Sequence, residues 1–186
     1  WKQDETFAGL FLQGAGDKAF GAGGDVKVLH DQIKAVGPQQ ALTFCQDFFE
    51  TEYRLDYLIH RYRKPLILWG HGIVMGGGIG LMSGASHRVV TEASRLAMPE
   101  ITIGLYPDVG GTWFLNHAPG RTGLFLGLTG ANINAADALF VGMADRFIPA
   151  ANKAAGIAAL QQVGWATDGR QHHGQGSHVL REFEDR

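Results

Sequence analysis

Apolar and polar positions along the chain follow two different periods. In the stretch that opens at Pro38, apolar residues fall at Ala41, Phe44, Cys45, Phe48, Leu55, Ile59 and Tyr62. This is the i, i+3, i+4, i+7 spacing of a helix with one buried stripe. It predicts a helix from Pro38 to about residue 62, with the proline in the first turn. Short apolar runs predict strands at 7–13, 66–69 and 87–91. A glycine-rich loop, "GAGDKAFGAGGD" (14–25), follows the first strand, and a glycine turn with a short helix through Ser83 follows the second. Residues 96–111 read as a loop with one strand-like piece. Shorter helices are predicted near 112–117, 121–129, 135–140 and 150–162. Strands alternating with helices indicate an α/β layered fold. Residues 1–160 read as one core, and 161–186 as a polar, loosely attached and truncated tail.

One run could span a bilayer by length alone. Residues 65–85, "PLILWGHGIVMGGGIGLMSGA", carry no Asp, Glu, Lys or Arg. Seven of the 21 residues are glycine, Pro65 opens the run and His71 lies inside it. A buried strand, a turn and a buried helix account for this better than a membrane span.

Composition narrows the classes further. The chain has 186 residues, 45% hydrophobic and 18% charged, enough for one domain with a real core. A net charge of −2 offers no basic field for nucleic acid or anionic membrane. The single cysteine, Cys45, excludes an internal disulfide and fits a reducing compartment; on the apolar helix face it reads as a core thiol. The chain opens at Trp1 without Met, so it is expected to be a fragment and its targeting stays open; the cytoplasm or, in a eukaryote, the mitochondrion is expected.

"MGGGIG" (75–80) raises a chemical question, because glycine inside a regular element costs about 0.5–1 kcal/mol relative to alanine. A strand turning directly into a helix leaves the first helical N–H groups unpaired and pointing outward, where the helix dipole adds positive potential. Without a β-carbon, a ligand oxygen can come close. The nucleotide motifs do not fit: there is no G-x-x-x-x-G-K-[S/T], and "GGGIG" lacks the dinucleotide spacing. A second glycine turn, "KAFGAGGDVK" (18–27), follows another strand. Two such turns can place two N–H groups on one oxygen, as an oxyanion hole requires. Tight helix–sheet packing is the alternative use of these glycines.

"KAFGAGGDVK", "GIVMGGGIGL" and "AMPEITIGLYPDVGGTWFL" together resemble the crotonase superfamily, the enoyl-CoA hydratase/isomerase-like proteins. The chain is most similar to the 3-hydroxyisobutyryl-CoA hydrolase branch. The resemblance implies a β-β-α superhelical spiral that binds an acyl-CoA thioester, without its first strands and C-terminal helices. It places the oxyanion-hole amides at Gly24 and Gly77. It places one catalytic carboxylate at Glu100 in the "PE" motif, while Gly80 stands where hydratases carry another. Similar hydrolases have a second active-site carboxylate at the "PD" aspartate, here Asp108. A local reading also lets Asp108 be only a helix N-cap. Gly21 stands where many relatives of the branch have Cys.

Glu52 stands out independently, since it lies on the apolar stripe between Phe48 and Leu55. An inward carboxylate needs a partner. Either it forms a buried ion pair, with Arg88 or Arg95, or the helix lines a pocket for a polar substrate. In the hydrolase branch the matching glutamate of "FFxxEY" contacts substrate. Ala22, Lys18 and Lys27 flank the first glycine loop and are candidates for contacts with coenzyme A. His172, His173 and His178 read as solvated rather than as a metal site.

The resulting expectation is hydrolysis of a short branched 3-hydroxyacyl-CoA, 3-hydroxyisobutyryl-CoA of valine breakdown. Gly24 and Gly77 would polarise the carbonyl, Glu100 would serve as base or nucleophile, Asp108 would orient or move protons, and Glu52 would hold the substrate hydroxyl. No metal or redox cofactor is implied, and coenzyme A enters as part of the substrate. Hydratase or isomerase chemistry, a CoA-binding but inactive fragment, and homo-oligomerisation stay open.

Overall fold

The computed structural model describes residues 3–166 and 169–185. Trp1, Lys2, Thr167, Asp168 and Arg186 lie outside the described residues, and with them the ends of the opening segment and part of the expected tail. Seven strands are described: β1 (Leu10–Gln13), β2 (Ala19–Gly21), β3 (Leu66–Gly70), β4 (Ile73–Met75), β5 (His87–Val90), β6 (Arg95–Ala97) and β7 (Arg146–Phe147). They form two parallel sheets, ordered β1-β3-β5-β7 and β2-β4-β6.

Strand β3 explains why the first sheet is buried on both sides. Leu66 and Leu68 enter the main core with Ile79, Met82, Leu96, Met98 and Phe114. Ile67 and Trp69 point the other way, into a second core with Val89, Ile148, Leu160 and Leu180. Side chains alternate along a strand, so a continuous apolar run is what a strand covered on two faces requires. The run at 65–85 is thus β3, β4 and a short helix. Among the described residues no helix is long and apolar enough to cross a membrane.

The helices are α1 (Val26–Val36), α2 (Pro38–His60), α3 (Gly77–Gly84), α4 (Gly111–Phe114), α5 (Thr122–Thr129), α6 (Ala135–Phe140), α7 (Lys153–Gln162) and α8 (His172–Arg181). Helix α2 begins at Pro38 as expected and spans 23 residues. Its stripe is less buried than the spacing implied: Ala41 and Ile59 are buried, but Phe44 and Leu55 are exposed. Cys45 is half-buried rather than a core thiol.

Five elements depart from expectation. The loop at 14–25 contains β2, and the strand expected at 7–13 is ordered as a strand only from Leu10. Helix α1 was not expected; Asp25 caps it, accepting from the N–H groups of Lys27 and Val28. Strand β7 pairs with β5 outside any expected element. The tail is not loosely attached: α8 packs on the second core through Leu180, which is 1% exposed. Of its histidines His178 is exposed as expected, whereas His172 and His173 are half-buried and hydrogen-bonded. The His172 ring donates to the Ala166 carbonyl (2.6 Å), the His173 ring to the Arg63 carbonyl (2.9 Å), and His178 stands 3.8 Å from Glu182. The first two contacts fasten the start of α8, whereas the His178–Glu182 pair lies on the helix's own exposed face; among the described residues no group of His, Cys, Asp and Glu is arranged to hold a metal ion.

Candidate active site

The glycine turn connects β4 to α3. Gly76, at φ 50° and ψ −123°, is the residue before the helix, a backbone state that an L side chain rarely adopts. The first glycine loop packs directly against it. A β-carbon on Gly23 would lie 2.7 Å from the Gly77 nitrogen, and one on Gly78 would strike the Gly21 carbonyl. The loops can approach this closely only as glycines. Gly24 and Gly77 line one cleft of about 130 Å³, with Ala22, Glu52, Glu100 and Asp108. Neither the Gly24 nor the Gly77 N–H makes a hydrogen bond among the described residues, so both remain available to a ligand oxygen.

Glu100 comes from a single 3-10 turn, Pro99–Ile103. It is only 6% exposed, and its Oε2 has no hydrogen-bond partner among the described residues. A β-carbon on Gly76 would come within 3.0 Å of its Oε1, which places the carboxyl against the glycine turn. Burial pushes its pKa up, and the charges of Asp108 and Glu52 add to this against a hydrogen bond from its own backbone.

Asp108 is not a helix cap. The residue preceding α4 is Gly110, with no side-chain cap. The Asp108 backbone carbonyl accepts from the Gly111 N–H at 2.5 Å, while its carboxylate accepts from the Tyr53 hydroxyl at 2.6 Å. The next residue, Val109, is buried at φ 44°, a rare state for a β-branched residue. Strain of this kind persists only where packing over-determines the chain. The packing partner is Gly80, where a β-carbon would sit 2.5 Å from that of Val109.

Glu52 lies in the cleft beside Gly77, and among the described residues no cation pairs with it. Arg88 engages Asp145 and the Gly142 carbonyl, and Arg95 donates to the carbonyls of Glu92 and Ser94. The ion-pair reading of Glu52 is therefore overturned. Burial, and next the Asp108 charge, raise its pKa.

Asp56 went unread in the sequence, although it follows Glu52 by one helical turn and so shares its face. Both its oxygens are buried, without a hydrogen-bond partner among the described residues. Burial, then the charges of Glu52 and Asp108, push its pKa up to about 7. Of the expected coenzyme A contacts, Ala22 lines the cleft, whereas Lys27 pairs with Asp31 at 2.5 Å on exposed α1 and Lys18 is exposed before β2. Neither lysine is brought to the cleft.

The family model described as enoyl-CoA hydratase/isomerase matches residues 1–186. A curated relative from Gallus gallus, named "3-hydroxyisobutyryl-CoA hydrolase, mitochondrial", is 45% identical over 149 residues, which is 80% of this chain and 37% of that protein. Two solved structures are similar. A carnitinyl-CoA dehydratase from Mycobacterium thermoresistibile aligns with a TM-score of 0.83 at 36% identity, over 100% of this chain and 50% of the other. An enoyl-CoA hydratase from Rhodobacter sphaeroides 2.4.1 aligns with a TM-score of 0.81 at 42% identity, over 98% and 55%. The chain thus spans less than half the length of the hydrolase relatives it matches.

Proposed function

The chain belongs to the enoyl-CoA hydratase/isomerase family, and we propose that its site hydrolyses the thioester of a short 3-hydroxyacyl-CoA, 3-hydroxyisobutyryl-CoA being the substrate that the names of its hydrolase relatives suggest. The observation that carries hydrolysis over hydration lies at Gly80. A glutamate there, the second carboxylate of a hydratase, would have to occupy the space filled by Val109. The remaining carboxylates, Glu100 and Asp108, converge on the cleft beside the two unpaired glycine amides.

Chemistry follows from this arrangement. The thioester oxygen sits between the Gly24 and Gly77 N–H groups, which stabilise the negative charge that develops on it. Glu100 takes a proton from water as the water oxygen bonds to the thioester carbon. Its raised proton affinity suits a general base working near neutrality. Collapse of the tetrahedral intermediate breaks the C–S bond, and the proton held by Glu100 passes to the departing sulfur. Asp108, fixed by Tyr53, orients the water. Glu52 accepts from the substrate 3-hydroxyl. Water is the nucleophile, so the step calls for no metal or redox cofactor. The names of the hydrolase relatives favour a mitochondrial setting.

The test supplies the protein with 3-hydroxyisobutyryl-CoA and crotonyl-CoA and follows thiol and alkene separately. Thiol release from the first, with the crotonyl alkene intact, is expected. Alkene loss without thiol would assign a hydratase. Binding of both with neither reaction would reduce the chain to a CoA-binding module.

A further inference from the structure

The cleft does not end at Asp108. That residue also lines a second cavity of about 440 Å³, between α2, α3 and the segment entering α4. This is within the size range of small-molecule sites. Asp56 stands in its wall. A buried carboxyl without a partner is costly, and a ligand that supplies the partner removes that cost. The charges acting on Asp56 are those of Glu52 and Asp108, both acidic. The other titratable groups lining the cavity are Tyr53, Tyr57, His60 and Tyr106, and among the described residues no lysine or arginine lines it. The chemical complement of this wall is a hydrogen-bond donor. A ligand carboxylate would face Asp56 and Asp108 at once, with Glu52 close behind.

We propose that Asp56 is a specificity-determining residue, accepting a hydrogen bond from a donor-bearing end, hydroxyl or ammonium, of an acyl chain that reaches past Asp108, and discriminating against acyl chains that end in carboxylate. The proposal rests on the reading of the cleft as an acyl-CoA thioester site. An acyl chain lying past Glu100 would enter this cavity beside Trp113 and Tyr106, whose rings cover its methylenes, and meet Asp56 with its far end.

The experiment uses four five-carbon acyl groups on coenzyme A: 5-hydroxypentanoyl, 5-aminopentanoyl, pentanoyl and glutaryl. At pH 8.5, above the Asp56 pKa of about 7 so that its carboxylate is ionised, binding is measured by calorimetry with analogues whose thioester sulfur is replaced by methylene, and thiol release with the thioesters themselves. The hydroxyl- and ammonium-ended groups are expected to bind roughly tenfold more tightly than pentanoyl, the scale of one hydrogen bond to a charged group, and glutaryl more weakly than pentanoyl. In Asp56→Leu the order should collapse, with pentanoyl equal to or better than the hydroxylated chain. Asp56→Asn keeps size and polarity if the leucine variant does not fold; it should retain the hydroxyl preference but lose the ammonium advantage and the rejection of glutaryl. An unchanged order in both variants would overturn the proposal. Thiol release from none of the thioesters, with the binding order intact, would overturn the hydrolase reading and leave this one standing. Failure of all four to bind would overturn both.

Discussion

The Tyr53 hydroxyl donates a 2.6 Å hydrogen bond to Oδ2 of Asp108, joining the middle of α2 to the loop that enters α4. The phenol remains a donor, because burial and then this bond drive its pKa far upward. Tyr53 does not reach the glycine turn, so it acts through Asp108 as a positioning residue. Tyr53→Phe should lower kcat about tenfold or more, the worth of a hydrogen bond to a charged group, with little change in KM. Asp108→Asn should lower turnover as well, and the double variant should lose no more than the worse single one. Equal effects on KM and melting temperature, with kcat retained, would make the bond merely structural.

Glu52 presents the opposite case, a charge with no countercharge among the described residues. Its folded pKa is raised by burial first and Asp108 second. The folded state therefore binds its proton more tightly than the unfolded chain does. Stability linked to this group is present below the unfolded pKa of about 4.3 and is lost as pH rises through the folded value. Glu52→Gln should then melt at a higher temperature than the native chain at pH 7, the difference vanishing near pH 4. The same variant should lose preference for 3-hydroxyacyl over plain acyl-CoA. A large drop in melting temperature at pH 7 would revive a hidden cationic partner.

The glycine turns allow the two roles of glycine to be separated. A β-carbon on Gly78 would meet the rigid Gly21 carbonyl, whereas one on Gly77 would meet the movable end of Glu52 and lie 2.9 Å from the Gly23 Cα. Gly78→Ala should therefore be the more destabilising, by about 1–3 kcal/mol as overpacking usually costs. Gly77→Ala should keep more of its stability but displace Glu52 and crowd the ligand oxygen, so its loss should appear in acyl-CoA affinity. Gly77→Pro removes the donor itself and should reduce turnover by about 10²–10³. Chemical denaturation and titration calorimetry on the three variants give the two quantities separately. Equal affinity in all three would assign the triple glycine to packing alone.

How much of this was legible in the sequence depended on how local its cause was. The strand–glycine–helix junction and the long helix from Pro38 were readable because turn chemistry and period are local. Helix α1 was missed although Asp25 announces its start and Val26, Leu29, Ile33 and Val36 fall at helical spacing; of these only Leu29 is buried, and the flanking glycine loop drew the reading toward an irregular segment. Helix α8 carries glycines at 174 and 176, which argue against a helix on propensity. Tertiary contact overrides them, with Gly176 packed beside the rings of His87 and Trp165. Asp56 carried a local signal, its spacing from Glu52, but the walls of the cavity it lines, α3 and the loop of Asp108, lie far from it in sequence.

The contact that holds α8 makes the last prediction a matter of pH. His87 is 4% exposed. Its Nδ1 stands 2.9 Å from the Ser86 hydroxyl, and its Nε2 3.0 Å from the Ser177 hydroxyl and 3.1 Å from the His173 carbonyl. Burial lowers its pKa most; the His173 carbonyl opposes this, His173 and Arg146 add to it, and Asp145 opposes it. The unfolded histidine takes up its proton near pH 6.5, while the folded one stays neutral to lower pH. Between those two values the unfolded chain binds more protons, so stability falls as pH falls and levels off once the folded ring is protonated. Nε2 already donates toward the His173 carbonyl, so the added proton goes to Nδ1 against the Ser86 hydroxyl and leaves a buried positive charge beneath α8. Hydrogen exchange should therefore show residues 172–181 less protected at pH 5 than at pH 7.5, while β3 keeps its protection. His87→Gln, which retains polar contacts but cannot titrate, should flatten this dependence. Equal protection of α8 at both pH values in the native chain would show that protonation of His87 does not loosen the helix.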